Sequence, residues 1–370
     1  MFTRPTKVLI DREALVHNFH EVLRLAGPDC PVAPVIKSDA YGHGFIGTAR
    51  ELLRAGADRF AVSFTEEGLQ LREEGISVPI LVLGGCYPAQ AREIVAGKLT
   101  PMVSGLALAK ALNEAASSTR TPVKIHIKVE TGLGRLGIPA EDIPAFLQKL
   151  KGFPFVEVEG IGSSFSSVTD FALAGKQVKS LESVCAEATR FLGKPVSCHI
   201  AHTGGLLLGL TRPGWLIRPG IMLYGYTRGL PFNEAQLRPV LTWRTEVFKI
   251  QQYPVGYPIS YGGEYRTKQG SRIALLPVGY SDGLLRSYMG RGEVLIRGKR
   301  APFIGRFSMD WTMVEARHIP EAQEGDEVIL IGKQQNEKIT ADEMAERAGT
   351  IIDEIFVSIA KRVPRIFEGS

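Results

Sequence analysis

Between residues 33 and 224 one pattern repeats. A short, continuous apolar run is followed by a loop and then, in most cases, by a segment whose apolar positions fall at helical spacing. The runs are 33–37, 59–63, 80–84, 100–103, 123–130, 156–163, 196–201 and 221–224, and the helical patterns cover 47–55, 66–74, 88–96, 106–116, 140–149 and 173–192. Apolar runs that do not alternate indicate parallel strands covered on both faces. An N-terminal strand and helix, about Val8 to Ala26, precede the series. Eight such units predict an α/β fold with a (β/α)8 TIM-type barrel. A doubly wound open sheet is the alternative, because counting strands does not establish closure.

The pattern changes near Leu230. From Val240 onward come short segments (LTWRTEVFKI, SRIALLPVG, EVLIRG, APFIGRF, WTMVEA, DEVILIG) separated by Gly, Pro and Asp. This predicts a mostly antiparallel β-domain. It contains one helix at 341–348, with Thr340 as N-cap and Glu343 completing a capping box. The expected division is a barrel over 1–232 and a β-domain over 233–370.

Composition sets limits on partners. The 370 residues carry a formal net charge of +5, with no basic run interleaved with aromatics, which argues against nucleic acid. Charges at Arg4, Lys7, Asp11, Arg12 and Glu13 interrupt any apolar leader, and no later run is long enough to span a bilayer. Cys30, Cys86, Cys185 and Cys198 lack CxxC or zinc spacing. The expectation is reduced thiols, a cytoplasmic protein and no metal.

The chemistry concentrates at the strand ends. In APVIKSDAYGHG, residues 33–44, an apolar run delivers Lys37 to its end, where an unpaired ammonium would be costly in a core. Either Lys37 points into solvent, or it is an amine held ready to form a Schiff base. Glu130, Arg135, Ser163, Ser164, His202, Thr203 and the Arg218-Pro219-Gly220 run fall at other strand ends. Cations, hydroxyls and glycine amides at one barrel mouth suit a phosphate group. Gly132-Leu133-Gly134-Arg135-Leu136-Gly137 matches GxGxxG, but it sits in the fifth unit with Pro139 close behind, which speaks against a dinucleotide fold. His126 and His199 read as satisfied core histidines, and Asp282 as a turn former.

Taken in order, VIKSDAYGHG, HIKVETGLGRLG, IRPGIMLYG, ISYGG, LLPVGYSDGLLR, FIGRFSMDWTMVE and KRVPR resemble the motifs of the alanine racemase family of pyridoxal 5′-phosphate (PLP) enzymes. The resemblance runs nearly end to end. It implies a PLP-binding barrel, a β-domain and a head-to-tail homodimer with shared sites. It also implies a small amino-acid substrate and a supply of D-alanine for peptidoglycan. By position, Lys37 would be the Schiff-base lysine and one catalytic base, and Tyr261 of the partner chain the opposing base. Arg218 would face the pyridine nitrogen. Tyr41, Thr203, Gly220 and Ile221 match phosphate-contacting positions. Arg135 and, from the partner chain, Met309 match the substrate-carboxylate site, Tyr280 the substrate entrance, and Lys128 a position carbamylated in some relatives.

Three places depart from the family pattern. Ser163-Ser164-Phe165 stands for Thr-His-Phe, His202-Thr203 for Asn-Ser, and Asp353 for a tyrosine that touches the phosphate region. One reading keeps alanine as substrate, with His202 assuming part of the missing histidine's role. Another enlarges the pocket for serine or a longer cationic amino acid that Asp353 could pair with. Retro-aldol cleavage of a β-hydroxy amino acid and a PLP-binding protein with little catalysis are further alternatives.

Overall fold

The computed structural model describes residues 4–230 and 235–369. These form two compact units. One comprises 15–40 and 45–238; the other comprises residues up to Ala14, 41–44 and 239 onward. The boundary expected between 232 and 233 lies outside the described residues.

In the first unit, Phe60–Val62, Ile80–Val82, Thr100–Val103, Val123–Glu130, Val156–Gly162 and Ser197–His199 pair in parallel in that order. Backbone bonds then close the ring. Leu216 N donates to Cys198 O (2.8 Å), Ala33 N to Ile217 O (2.8 Å), and Ala61 N to Pro34 O (2.8 Å). Residues 216–219 and 33–36 are therefore the two remaining rungs, and the open-sheet alternative falls. Helices Phe45–Arg54, Thr65–Glu73, Ala91–Ala96, Leu106–Thr119, Ile143–Leu150 and Phe171–Leu192 occur between the strands. Strands lined on both faces leave little room for polar residues, which explains the fully buried triplets FAV and ILV.

Two expectations need correction here. The eighth strand was expected at 221–224, but Ile221–Tyr224 is a buried 3-10 turn and the rung precedes it. Pro219, which has no N–H to give a ladder, ends the strand just before it. Cys185 and Cys198 are not free thiols; they form a disulfide with Cα atoms 6.5 Å apart. Cys185 lies on the long helix Phe171–Leu192 and Cys198 on the strand Ser197–His199, and both side chains are buried. Cys30 and Cys86 remain free.

The second unit is a mostly antiparallel sheet. Its path joins Lys249–Gln252, Arg272–Leu276, Thr312–Glu315, Lys299–Ile304, Glu293–Ile296, Glu327–Gln334, Leu241–Glu246, Lys7–Asp11 and Arg365–Glu368. The N-terminal strand Lys7–Asp11 thus pairs with this sheet, antiparallel to one neighbour and parallel to the other. Helix Ala341–Ala348 starts where expected, with Thr340 Oγ1 accepting from Glu343 N (3.1 Å). The Glu343 carboxylate serves Arg300 and Arg347.

Asp282 is more than a turn former. It is fully buried, accepts from Gly279 N (3.0 Å), and pairs with Arg4 (2.5 Å) and Arg362 (2.8 Å). Among the described residues, no helix is long and apolar enough to cross a membrane.

Candidate active site

Lys37 stands where the closing rung 33–36 gives way to a tight turn. Ser38, Asp39, Ala40 and Tyr41 all have positive φ, between 53° and 57°. Consecutive left-handed L-residues are costly and persist only where the surroundings impose them. Here Glu67 Oε1 accepts from Ser38 N (2.6 Å), and Asp39 Oδ1 accepts from Phe45 N (2.8 Å). The other oxygen of Glu67 takes the amides of Ser63 (2.6 Å) and Phe64 (3.1 Å). One carboxylate thus ties the Lys37 turn to the next strand end. Lys37 itself is half-buried.

The rung 216–219 delivers Arg218, a buried arginine whose Nη2 donates to Ser163 O (2.7 Å) and Ile200 O (3.2 Å). Just beyond it, the amides of Gly220 and Met222 both point at Thr203 Oγ1, each at 3.3 Å. Thr203 begins the short helix Thr203–Leu207, whose N-cap His202 accepts from Gly204 N through Nδ1 (3.0 Å). With Oγ1 accepting both amides, the Thr203 O–H is left to donate, as a contact to a phosphate oxygen would require. Burial, with Arg218 and then Arg228 adding to it, pushes the His202 imidazole down to about 4. It is neutral at physiological pH, and Phe165 meets its ring edge-on.

On the neighbouring strands, Lys128 Nζ donates to Ser164 Oγ (2.7 Å). Burial first, then the charges of Arg218 and Arg135, push this ammonium down to about 7, against the opposing pull of Glu130. Arg135 is exposed on the loop after strand Val123–Glu130. That loop holds the GxGxxG match, and its amides are already engaged. Glu130 accepts from Gly132 N (2.5 Å), Leu133 N (2.6 Å) and Arg135 N (3.3 Å). The loop is self-satisfied and does not offer those amides to a dinucleotide.

Three side chains expected at the site fall together in the β-unit. Tyr261, Tyr280 and Met309 line one cavity of about 490 Å³ with Arg286, Arg306 and Trp311. All three are exposed on their own chain, Tyr261 at 69%. Directly before Tyr261, Ser260 has φ 65°, an unusual conformation for a non-glycine residue, held by Ser260 Oγ donating to Arg306 O (2.7 Å).

The barrel unit therefore brings together Lys128, Ser164, Thr203, Arg218 and Gly220, with Lys37, His202 and Ile221 at neighbouring strand ends and turns. Tyr41 and Asp353 group with the β-unit, Asp353 half-buried on helix Ile352–Ser358. Glu67, Gln177 and the β-unit arginines were not foreseen. Gln177 is fully buried and bonds Ser164 O (3.2 Å), Thr131 and Ser166. Its spacing puts it on the apolar stripe with Ala174, Val178 and Leu181, and a glutamine there was a usable signal. His199, expected to be satisfied, has a buried Nδ1 with no hydrogen-bond partner among the described residues.

Comparison with known proteins is consistent along the whole chain. Residues 10–228 match the family model for the alanine racemase N-terminal domain, and 240–367 match that for the C-terminal domain. The alanine racemase of Geobacter sulfurreducens is 39% identical, over 99% of this chain and 98% of its own. That of Syntrophobacter fumaroxidans is 41% identical, over 96% and 95%. Among solved structures, alanine racemase from Bacillus anthracis with bound L-Ala-P aligns with TM-score 0.91 at 34% identity, covering 100% of this chain and 96% of that one. The enzyme from D-cycloserine-producing Streptomyces lavendulae aligns with TM-score 0.92 at 30% identity, covering 100% and 98%.

Proposed function

This chain belongs to the alanine racemase family, and from that premise we propose that it interconverts L- and D-alanine with two bases, Lys37 and the Tyr261 of a partner chain, on PLP. The observation that carries the proposal is the clustering of Tyr261, Tyr280 and Met309 around one open cavity of the β-unit. An exposed tyrosine on a strained, braced backbone suits a group presented to a second subunit. Racemisation needs a proton taken from one face of Cα and returned on the other, so two bases from different sources make physical sense.

The barrel residues fit PLP. The Thr203 hydroxyl, whose oxygen the Gly220 and Met222 amides hold, would meet the phosphate together with Ile221, and Lys37 would supply the amine; Tyr41, from the other unit, is a further proposed contact. When bound, PLP would supply the electron sink that makes the Cα proton acidic. Arg218 would face the ring nitrogen. Its guanidinium cannot accept a proton and scarcely gives one up, so that nitrogen would stay unprotonated. Arg135 and the Met309 of a partner chain would hold the substrate carboxylate, the arginine by its fork. Tyr280 would stand at the entrance. A Lys128 amine that titrates near neutrality has the unprotonated form that carbamylation requires.

Homodimerisation, peptidoglycan supply and a cytoplasmic location belong to the same proposal, as does the division into a 1–232 barrel and a 233–370 β-domain. The free thiols of Cys30 and Cys86 favour the cytoplasm; the Cys185–Cys198 disulfide does not. Relatives that match this chain over both domains carry the racemase name, which favours racemisation over retro-aldol cleavage or a weakly catalytic role. A serine preference has one observation behind it: Ser164, the small residue where an imidazole was expected, is bonded to Lys128. A D-amino-acid oxidase assay on purified PLP-loaded protein tests both readings. L-alanine giving D-alanine faster than L-serine gives D-serine supports the first, and the reverse order supports the second.

A further inference from the structure

Two histidines touch in the barrel interior. His126 Nδ1 lies 2.8 Å from His199 Nε2, and both rings are buried. The barrel is shaped around them. On the intervening strand, a Cβ at Gly160 would come within 2.5 Å of His126 Cε1, and one at Gly162 would overlap the His199 ring. Side chains that stand one above another on that strand are glycines where the imidazoles sit.

The same strand carries a bulge. Ile125 pairs with Val158, but His126 pairs with Gly160, so Glu159 is the extra residue. A bulge re-aims a side chain. Here Glu159 Oε2 lies 3.5 Å from His126 Nε2, while Oε1 accepts from Lys124 Nζ (2.6 Å).

Each contact limits the next. Burial, opposed in part by Glu159, depresses the His126 pKa, and burial with the Arg218 charge holds His199 well below its usual value. Both rings are neutral, with one proton apiece. A carboxylate only accepts, so His126 keeps its proton on Nε2. Its Nδ1 is then an acceptor, and His199 must donate from Nε2. That leaves His199 Nδ1 as a bare lone pair, buried and without a partner among the described residues.

We propose that Glu159 is a positioning residue that, through His126, fixes His199 in the Nε2–H tautomer and so presents an acceptor in the field of Arg218. The proposal rests on the reading above, in which Arg218 faces the cofactor ring. Arg218 is beside it in the fold, its Nη2 donating to the carbonyl of Ile200, the next residue along (3.2 Å), so such an acceptor would favour the guanidinium in its charged, ring-facing pose without taking a proton from it. The tautomer assignment itself does not depend on that reading.

The Glu159→Gln variant inverts the relay in a defined way. An amide NH2 is disfavoured against the Lys124 ammonium, so the amide oxygen stays on Lys124 and the NH2 turns toward His126. His126 then moves its proton to Nδ1, and His199 is driven to Nδ1–H, placing a donor before a cation. Neutron diffraction from deuterated crystals of the PLP-loaded protein reads these positions directly. The unmodified protein is expected to carry deuterium on Nε2 of both rings and none on His199 Nδ1. Glu159→Gln is expected to carry it on His199 Nδ1, with kcat reduced about tenfold and KM little changed. Deuterium on His199 Nδ1 in the unmodified protein overturns the proposal, as do unmoved deuterons or an unchanged kcat in the variant. An unmodified protein with the expected deuterons but no racemisation would instead count against the proposed function alone.

Discussion

Lys128 and Ser164 are joined by a 2.7 Å hydrogen bond from Nζ to Oγ, between two strand ends of the barrel. Where the resemblance implied an imidazole, this chain has a small hydroxyl that accepts from a buried amine. Ser164→Ala removes that acceptor and leaves a buried donor unmet, which should cost about 1–3 kcal/mol. Denaturant unfolding of the two proteins side by side measures it. A loss below a few tenths of a kcal/mol would show that water replaces the hydroxyl.

The same amine makes stability depend on pH. Its folded pKa lies near 7, below the ordinary lysine value of 10.5. Between those values the unfolded chain holds the extra proton, so stability rises with pH across that window. Below about 7 both states are protonated and the folded protein buries a charge. Lys128→Met should abolish this rise, and unfolding midpoints measured from pH 7 upward should converge on a flatter profile. An identical slope in both proteins would contradict the assignment.

Thr203 tests the phosphate contact. Thr203→Val keeps the shape but removes the oxygen on which the Gly220 and Met222 amides converge. PLP affinity of the apoprotein should fall by about tenfold, the equivalent of ~1.4 kcal/mol, in a fluorescence titration. Unchanged affinity would move the phosphate elsewhere.

Asp282 is a stability residue of the β-unit. Asp282→Asn leaves Arg4 and Arg362 facing a neutral amide at a fully buried site. Both arginines keep a third or more of their side chains in water, so losing these charge-assisted bonds should cost about 1–3 kcal/mol, and the thermal midpoint should drop accordingly. A midpoint within error of the parent would mean that the arginines find other acceptors.

How far the sequence could be read follows from the kind of signal each residue leaves. The barrel was legible because eight apolar runs separated by helical spacing leave few alternatives; helix Ala341–Ala348 was legible through Thr340. The eighth rung was misplaced because Ile221–Tyr224 is as apolar as a strand, and only the ring closure at 216–219 tells them apart. The Cys185–Cys198 bond was missed because spacing along a chain says nothing of a helix crossing a strand. Lys37, Arg218 and Tyr261 could be named from motifs. Glu67, which braces the turn after Lys37, and Glu159, which a bulge turns toward His126, act through backbone geometry that no motif records.

The central claim is two-base racemisation by Lys37 and Tyr261, and proton exchange at Cα in deuterium oxide tests it most directly. The PLP-loaded protein given L-alanine should yield D-alanine carrying deuterium at Cα. Tyr261→Phe should slow interconversion by about 10²- to 10⁴-fold, the scale of losing one acid–base group, while one isomer still exchanges through Lys37. D-alanine formed at an undiminished rate by Tyr261→Phe, or no deuterated D-alanine from the unmodified protein, would contradict the account.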